Sequence, residues 1–259
     1  CDKHSDYFVA FLEQFSADEP TEKINDLIET EFENIRIAMK FCADFAKGDA
    51  ILSVHRVLAE YLDSRARHQD AISTFEYMID TLSIATNKNV TIKKTISRLQ
   101  GEVAEFYNSI GQSRKALDYA KASLTIAKAL DDDLGVSQAY HVLCLCNSRL
   151  GEFQDMLKKA IEALQYFESK ELLHQYNVGL FYKAEADFNL GNFDEAKEAI
   201  LRNEKMMDAT HQIPMLSAGI FDALQENDKA RNYYLQGLQM WEEANDTWGI
   251  AISQMLFGH

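Results

Sequence analysis

An all-α chain of tandem helical hairpins, an α-solenoid, is the fold this sequence predicts, and three observations predict it. First, only 11 Gly and 2 Pro occur in 259 residues that are 47% hydrophobic, too few turn formers for a protein of many short strands. Second, one pattern recurs five times: a helix, a short turn around a small or polar residue, then a second helix. Its turn position falls at Ala66, Gly111, Gly151, Gly191 and Gln225, at intervals of 45, 40, 40 and 34 residues. Third, a small position before the turn and an alanine-like position after it are phased to that turn. Ala59, Ala104, Cys144, Ala184 and Ala218 lie seven residues before it; Ala71, Ala116, Met156, Ala196 and Ala230 lie five after it. Small side chains there let the two helices of a hairpin approach closely, and glycine at the turn accepts the left-handed backbone that ends a helix.

Residues 1–47 precede the period. Tyr7, Phe8, Phe11, Leu12 and Phe15 trace one helical face, interrupted at 16–21 around Pro20. Ile24, Leu27, Ile28, Phe32, Ile35, Met39 and Phe41 trace a second. This pair is expected to cover the end of the array as a helical cap, because a solenoid's terminal apolar face needs a cover. Residues 48–259 then carry about five hairpins and the first helix of another, an amphipathic stretch beginning at Trp248. The runs 127–137 and 243–251 read as two copies of one link, an acidic cluster before a Gly that opens the next helix. Pro214 suits the first turn of a later helix.

The repeats resemble the tetratricopeptide (TPR) pattern, whose unit is about 34 residues, with each helix here extended by about one turn. That resemblance implies a right-handed α-solenoid. A second resemblance is carried by His4-Ser-Asp-Tyr7-Phe8, by Leu27–Met39 with Glu33 followed by Asn34-Ile35-Arg36-Ile37-Ala38, and by Gly48-Asp49-Ala50. These runs are similar to the segment joining the nucleotide-binding region to the TPR array in STAND-class signalling ATPases of bacteria. The class implies a regulatory sensor arm, with ATP bound upstream of it. The opening Cys1 is consistent with a piece of a longer chain.

Little else carries chemistry. A net charge of -15, from 41 acidic and 26 basic residues, disfavours contact with a phosphate backbone. No apolar run approaches the roughly 18 residues a membrane span needs. Neither a phosphate-binding G-x-x-x-x-G-K-[ST] loop nor a zinc, nucleophile-elbow or C-x-x-C motif occurs. The seven histidines lack ligand spacing, and Cys1, Cys42, Cys144 and Cys146 read as free, buried thiols in a reducing cytoplasm. No catalytic residue, metal or cofactor is expected.

The remaining candidate is the concave groove lined by the first helix of each hairpin. Registered on the turn, the inward side chains are Arg56, Glu60 and Asp63; Arg98, Glu105 and Asn108; Gln138, His141 and Arg149; and Phe181, Glu185, Phe188 and Asn189. Such a mixture suits a peptide, with polar groups on its backbone or terminus and aromatics on an apolar side chain. Arg67 and His68, at a turn, are read as solvent-exposed. On this reading Arg98→Ala with Arg149→Ala weakens partner capture without lowering the melting temperature. Three functions stay open: a sensor arm of a signalling ATPase, a free-standing TPR scaffold bridging proteins, and a quorum-sensing-type peptide receptor. Expected partners are a protein, a peptide or a small-molecule inducer, with the repeats also offering a route to homo-oligomers.

Overall fold

A computed structural model describes residues 1–16, 22–86, 89–205, 212–244, 247 and 249–250. The chain forms two compact units, Cys1–Cys146 and Asn147–His259. Helices α1 (Asp2–Leu12), α2 (Glu22–Asp44), α3 (Gly48–Ser64), α4 (His68–Ile84), α5 (Val90–Ser109) and α6 (Ser113–Ala129) make the first, with most of α7 (Asp133–Leu150). The second holds the end of α7, then α8 (Phe153–Ser169), α9 (Leu173–Leu190), α10 (Phe193–Glu204), α11 (Gln212–Ala223) and α12 (Asn227–Glu243). Among the described residues there is no strand. The fold is an all-α TPR-like solenoid of hairpins.

The turns explain the period. All five expected turn residues have left-handed backbone: φ is +52° at Ala66, +77° at Gly111, +70° at Gly151, +82° at Gly191 and +61° at Gln225. Asp131 and Glu171, between hairpins, share that conformation, so left-handed residues recur every 20 positions from Gly111 to Gly191. Each helix of 17 or 18 residues there is thus followed by a minimal turn.

The residue after each left-handed position serves two helices. The Arg67, Gln112, Glu152, Asn192 and Glu226 N–H groups donate to Leu62, Tyr107, Asn147, Asp187 and Phe221 carbonyls five residues back, closing the preceding helix as a Schellman motif. Their own carbonyls accept from the amides of Ala71, Ala116, Met156, Ala196 and Ala230, opening the next. The phased residues are therefore the fourth of each second helix, the first whose amides bond four residues back, and all five are at most 3% exposed. Ala59, Ala104, Cys144, Ala184 and Ala218 are buried as well.

Alanine at a left-handed position is strained, because its Cβ crowds the carbonyl. Ala66→Gly, at an exposed turn, is expected to stabilise the protein by about 0.5–1 kcal/mol, the relieved strain outweighing the added chain entropy. Urea unfolding of the variant checks this.

At the N-terminus, α1 buries Phe8, Val9 and Leu12 and leaves Tyr7 65% exposed. The buried face is therefore rotated from the one the aromatics suggested, and α1 stops at Leu12, before Phe15. On α2, Ile28, Phe32, Ile35 and Met39 are buried with Ala38 and Cys42, whereas Leu27 faces out. Helix α7 starts at Asp133, two residues before Gly135. Pro214 lies in the first turn of α11. Most of 16–21, much of 243–251 and all of 251–259 lie outside the described residues.

Candidate functional site

Three successive first helices, α3, α5 and α7, lie side by side in the N-terminal unit. Gly48 meets Ile92 and Thr95 where α3 crosses α5, and Thr95 Oγ1 donates to the Gly48 carbonyl at 3.0 Å. Gly101 lets α7 come close: a Cβ at that position would lie 2.7 Å from the Gln138 amide. Their common face carries Arg56, Glu60 and Asp63 from α3, Glu102 and Glu105 from α5, and Gln138 from α7, with His141 three residues after Gln138 on the same helix.

The face is polar at its rim and acidic at its floor. Arg56, Glu60, Asp63 and His141 are exposed, and Glu105 and Gln138 are half-buried. Asp63 also lies 3.2 Å from His68 Nε2. Gln138 Nε2 donates to Glu105 Oε1 at 3.1 Å. Beneath them Glu102 is only 6% exposed, with its Oε1 3.6 Å from Nε2 of the equally buried His55.

Burial, reinforced by Glu105 alongside, pushes the Glu102 carboxyl up to about 8, so it carries a proton at neutral pH. Burial raises Glu105 too, with Glu60 and Asp63 adding to the effect and Gln138 and Arg56 opposing it. Burial holds His55 down at about 4, and the nearby Arg98 and Arg56 cations lower it further. Its ring is therefore neutral. Nδ1–H donates to the Leu52 carbonyl at 2.9 Å, which leaves Nε2 as a lone-pair acceptor without a hydrogen bond.

The other expected groove residues separate into two groups. Arg98 is 5% exposed and forks onto Asp132, Nε–Oδ2 at 2.8 Å and Nη2–Oδ1 at 2.7 Å, with Lys94 3.4 Å from the same carboxylate. Asn108 is buried and accepts from Ser113 Oγ at 2.8 Å, tying α5 to α6. These two side chains hold the fold. In the C-terminal unit Phe181 and Phe188 pack against the core formed by Ala184, Ala196, Ile200 and Ile220. Glu185, raised by burial, accepts from Ser148 Oγ. Asn189 is exposed and donates to its own helix at the Glu185 carbonyl, 2.8 Å away. Arg149 is exposed.

Arg67 and His68 are half-buried instead of exposed. The Arg67 guanidinium lies 3.9 Å from the centre of the Phe32 ring and bonds Asp70 and Glu29. Turn position alone missed this, because the partner helix α2 precedes the repeats.

Sequence reasoning also missed His55 and Glu102. Glu102 lies four residues after Arg98 and three before Glu105, on the same helical face, and that spacing was the available signal. Of the four thiols, Cys42, Cys144 and Cys146 are buried and Cys1 is exposed; all are free. Among the described residues no group of three or more His, Cys, Asp or Glu is arranged to hold a metal ion. Nor is any helix among them long and apolar enough to cross a membrane.

No protein-family model and no curated protein matches the sequence. Solved structures share the fold at low identity. The apo form of RapI superposes with a TM-score of 0.67 at 14% identity, over 77% of this chain and 73% of its own. A Rap protein complexed with competence and sporulation factor gives 0.63 at 14%, over 98% of this chain and 80% of that one. A signal transduction ATPase with numerous domains, carrying a tetratricopeptide repeat sensor, from Pyrococcus horikoshii gives 0.56 at 15%, over 98% of this chain and 42% of that protein.

Proposed function

We propose that this chain is a TPR sensor module that binds a peptide or an extended protein segment and controls a signalling ATPase to which it belongs. Residues 1–47 serve as the adaptor pair and 48–259 carry the array. The observation behind this reading is the α3–α5–α7 face, where polar and acidic side chains from three adjacent first helices converge on a floor with an unused acceptor. Arg56, Glu60, Asp63, Glu105, Gln138 and His141 supply the contacts there. Arg149, Glu185 and Asn189 supply a second, smaller set in the C-terminal unit.

The juncture around Glu33–Ala38 and the shared fold with a TPR sensor of a STAND protein support the ATPase connection. A free-standing peptide receptor is the second reading, favoured by the fold match to a Rap protein in complex with competence and sporulation factor over 98% of this chain.

An immunoblot of source cells separates the two. A band several times larger than 29.5 kDa is expected, followed by ATP turnover in the full-length protein that responds to the bound partner. A band near 30 kDa overturns the ATPase arm and leaves the receptor. In either case a saturating partner is expected to stabilise the protein by about 2.7 kcal/mol at a hundredfold excess over Kd.

A further inference from the structure

The C-terminal unit holds a cavity of about 370 Å³ where α8 ends, α9 begins and the last turn of α10 lies alongside. That volume falls in the range of about 300–1,000 Å³ common to small-molecule sites. Its floor is apolar, made by the buried rings of Phe167 and Tyr176, with exposed Leu173 as a wall. Glu168, Glu171 and Arg202 stand at its rim, all three exposed to solvent.

The charges on that rim are uncommitted. Among the described residues no hydrogen bond or ion pair engages the side chain of Glu168, Glu171 or Arg202. The Arg202 guanidinium lies 5.1 Å from the centre of the Tyr176 ring. Lys170, between the two glutamates, has its Nζ 5.9 Å from the centre of the Tyr166 ring. Glu168 is in the last turn of α8 and Glu171 lies just beyond it, where a helix disfavours negative charge. Helix α9 opens two residues later with no side-chain cap and no acidic residue in its first turn, an end that favours an anion. Attraction for a cation and attraction for an anion thus meet within a few residues, beside an apolar floor.

We propose that this cavity binds a free α-amino acid with an apolar side chain. Its carboxylate pairs with Arg202 at the start of α9, its ammonium with Glu168 and Glu171, and its side chain rests on Phe167, Leu173 and Tyr176. The guanidinium fork matches a carboxylate, and both polar contacts are charge-assisted. A simple carboxylic acid would face two glutamates, and a simple amine would face Arg202. An α-amino acid carries both charges on one carbon and leaves neither sign opposed. The end residue of a peptide keeps only one of those charges, so the free form is selected. The cavity shares no residue with the α3–α5–α7 face and stands independently of the peptide-binding reading.

Isothermal titration calorimetry on the whole chain tests this with L-leucine and L-phenylalanine. Glycine and the N-acetyl and amide forms of each amino acid serve as probes lacking the side chain, the ammonium or the carboxylate. One or both apolar amino acids are expected to bind at least tenfold more tightly than glycine and than their own blocked forms. Arg202→Gln, and Glu168→Gln combined with Glu171→Gln, are each expected to weaken that binding at least tenfold. These side chains are exposed and have no hydrogen-bond or ion-pair partner among the described residues, so the variants should keep the parent's circular dichroism spectrum. Absence of binding by both amino acids, equal binding of a blocked form, or affinity that survives either set of substitutions overturns the site.

Discussion

Arg98→Ala is expected to destabilise the protein by about 3–5 kcal/mol, because it strands the Asp132 carboxylate inside the N-terminal unit. Both side chains are nearly inaccessible, at 7% and 6%, and the contact is a two-bond fork. The expectation from sequence, that this arginine could be removed at no cost in melting temperature, is therefore replaced. A joint Arg98→Met and Asp132→Leu exchange is expected to be nearly neutral or stabilising, since it removes both desolvation costs along with the attraction.

Asp132 also sets a pH dependence. Burial alone would raise its carboxyl, but Arg98 outweighs that, with Lys94 adding to it, and the net result lies below the usual range. A depressed acid contributes stability above the unfolded value of about 4 and loses it as pH falls through the folded value. Arg98→Ala should accordingly lose most at neutral pH and least in strong acid. Urea unfolding followed by circular dichroism measures both; equal stability of Arg98→Ala and the parent at pH 7 would contradict a buried, productive pair.

Glu102→Gln is expected to have the opposite sign, stabilising the protein at neutral and alkaline pH. With its carboxyl held near 8, folded Glu102 keeps a proton that the unfolded chain, near 4.3, has lost. Its contribution is then full below about pH 4 and is lost as pH rises toward 8. The amide mimics the protonated acid and can donate to His55 Nε2, so the gain should grow with pH to on the order of 5 kcal/mol at pH 8. His55 tilts the profile the other way. Its lowered value contributes stability above about 6.5 that fades in acid toward 4. The side chains acting on these two are Arg56, Glu60, Arg98, Glu105, Asp132 and Gln138. A Glu102→Gln profile parallel to that of the parent would mean the carboxyl is ionised at neutral pH.

The hairpins were legible because their signal is local. A left-handed residue, the shared amide after it and the small residue five positions on lie within one turn of chain, and Ala66 and Gln225 could be placed without glycine by phase alone. The site was less legible because its register depends on which first helix packs on which. Arg98 and Glu102 lie one turn apart on α5, yet one reaches Asp132 at the start of α7 and the other His55 on α3. Polar residue type cannot separate those fates. Tyr7 and Leu27 misled for a related reason: three-and-four spacing fits two adjacent faces, and only contact with α3 and α4 selects the buried one.

The recurrence of a closed turn every 20 residues also bears on how the chain is made. From α6 to α9 each helix is terminated by a bond five residues back and started by a bond four residues on, so ordering a hairpin there requires almost nothing from downstream. Ribosomes deliver about 5–20 residues per second, so a 40-residue hairpin emerges over roughly 2–8 s. Helices form within about a microsecond. The growing chain can therefore complete each hairpin, and seat it on the one before, long before the next has been synthesised. On these timescales the α3–α5–α7 face has time to assemble as soon as α7 has left the exit tunnel.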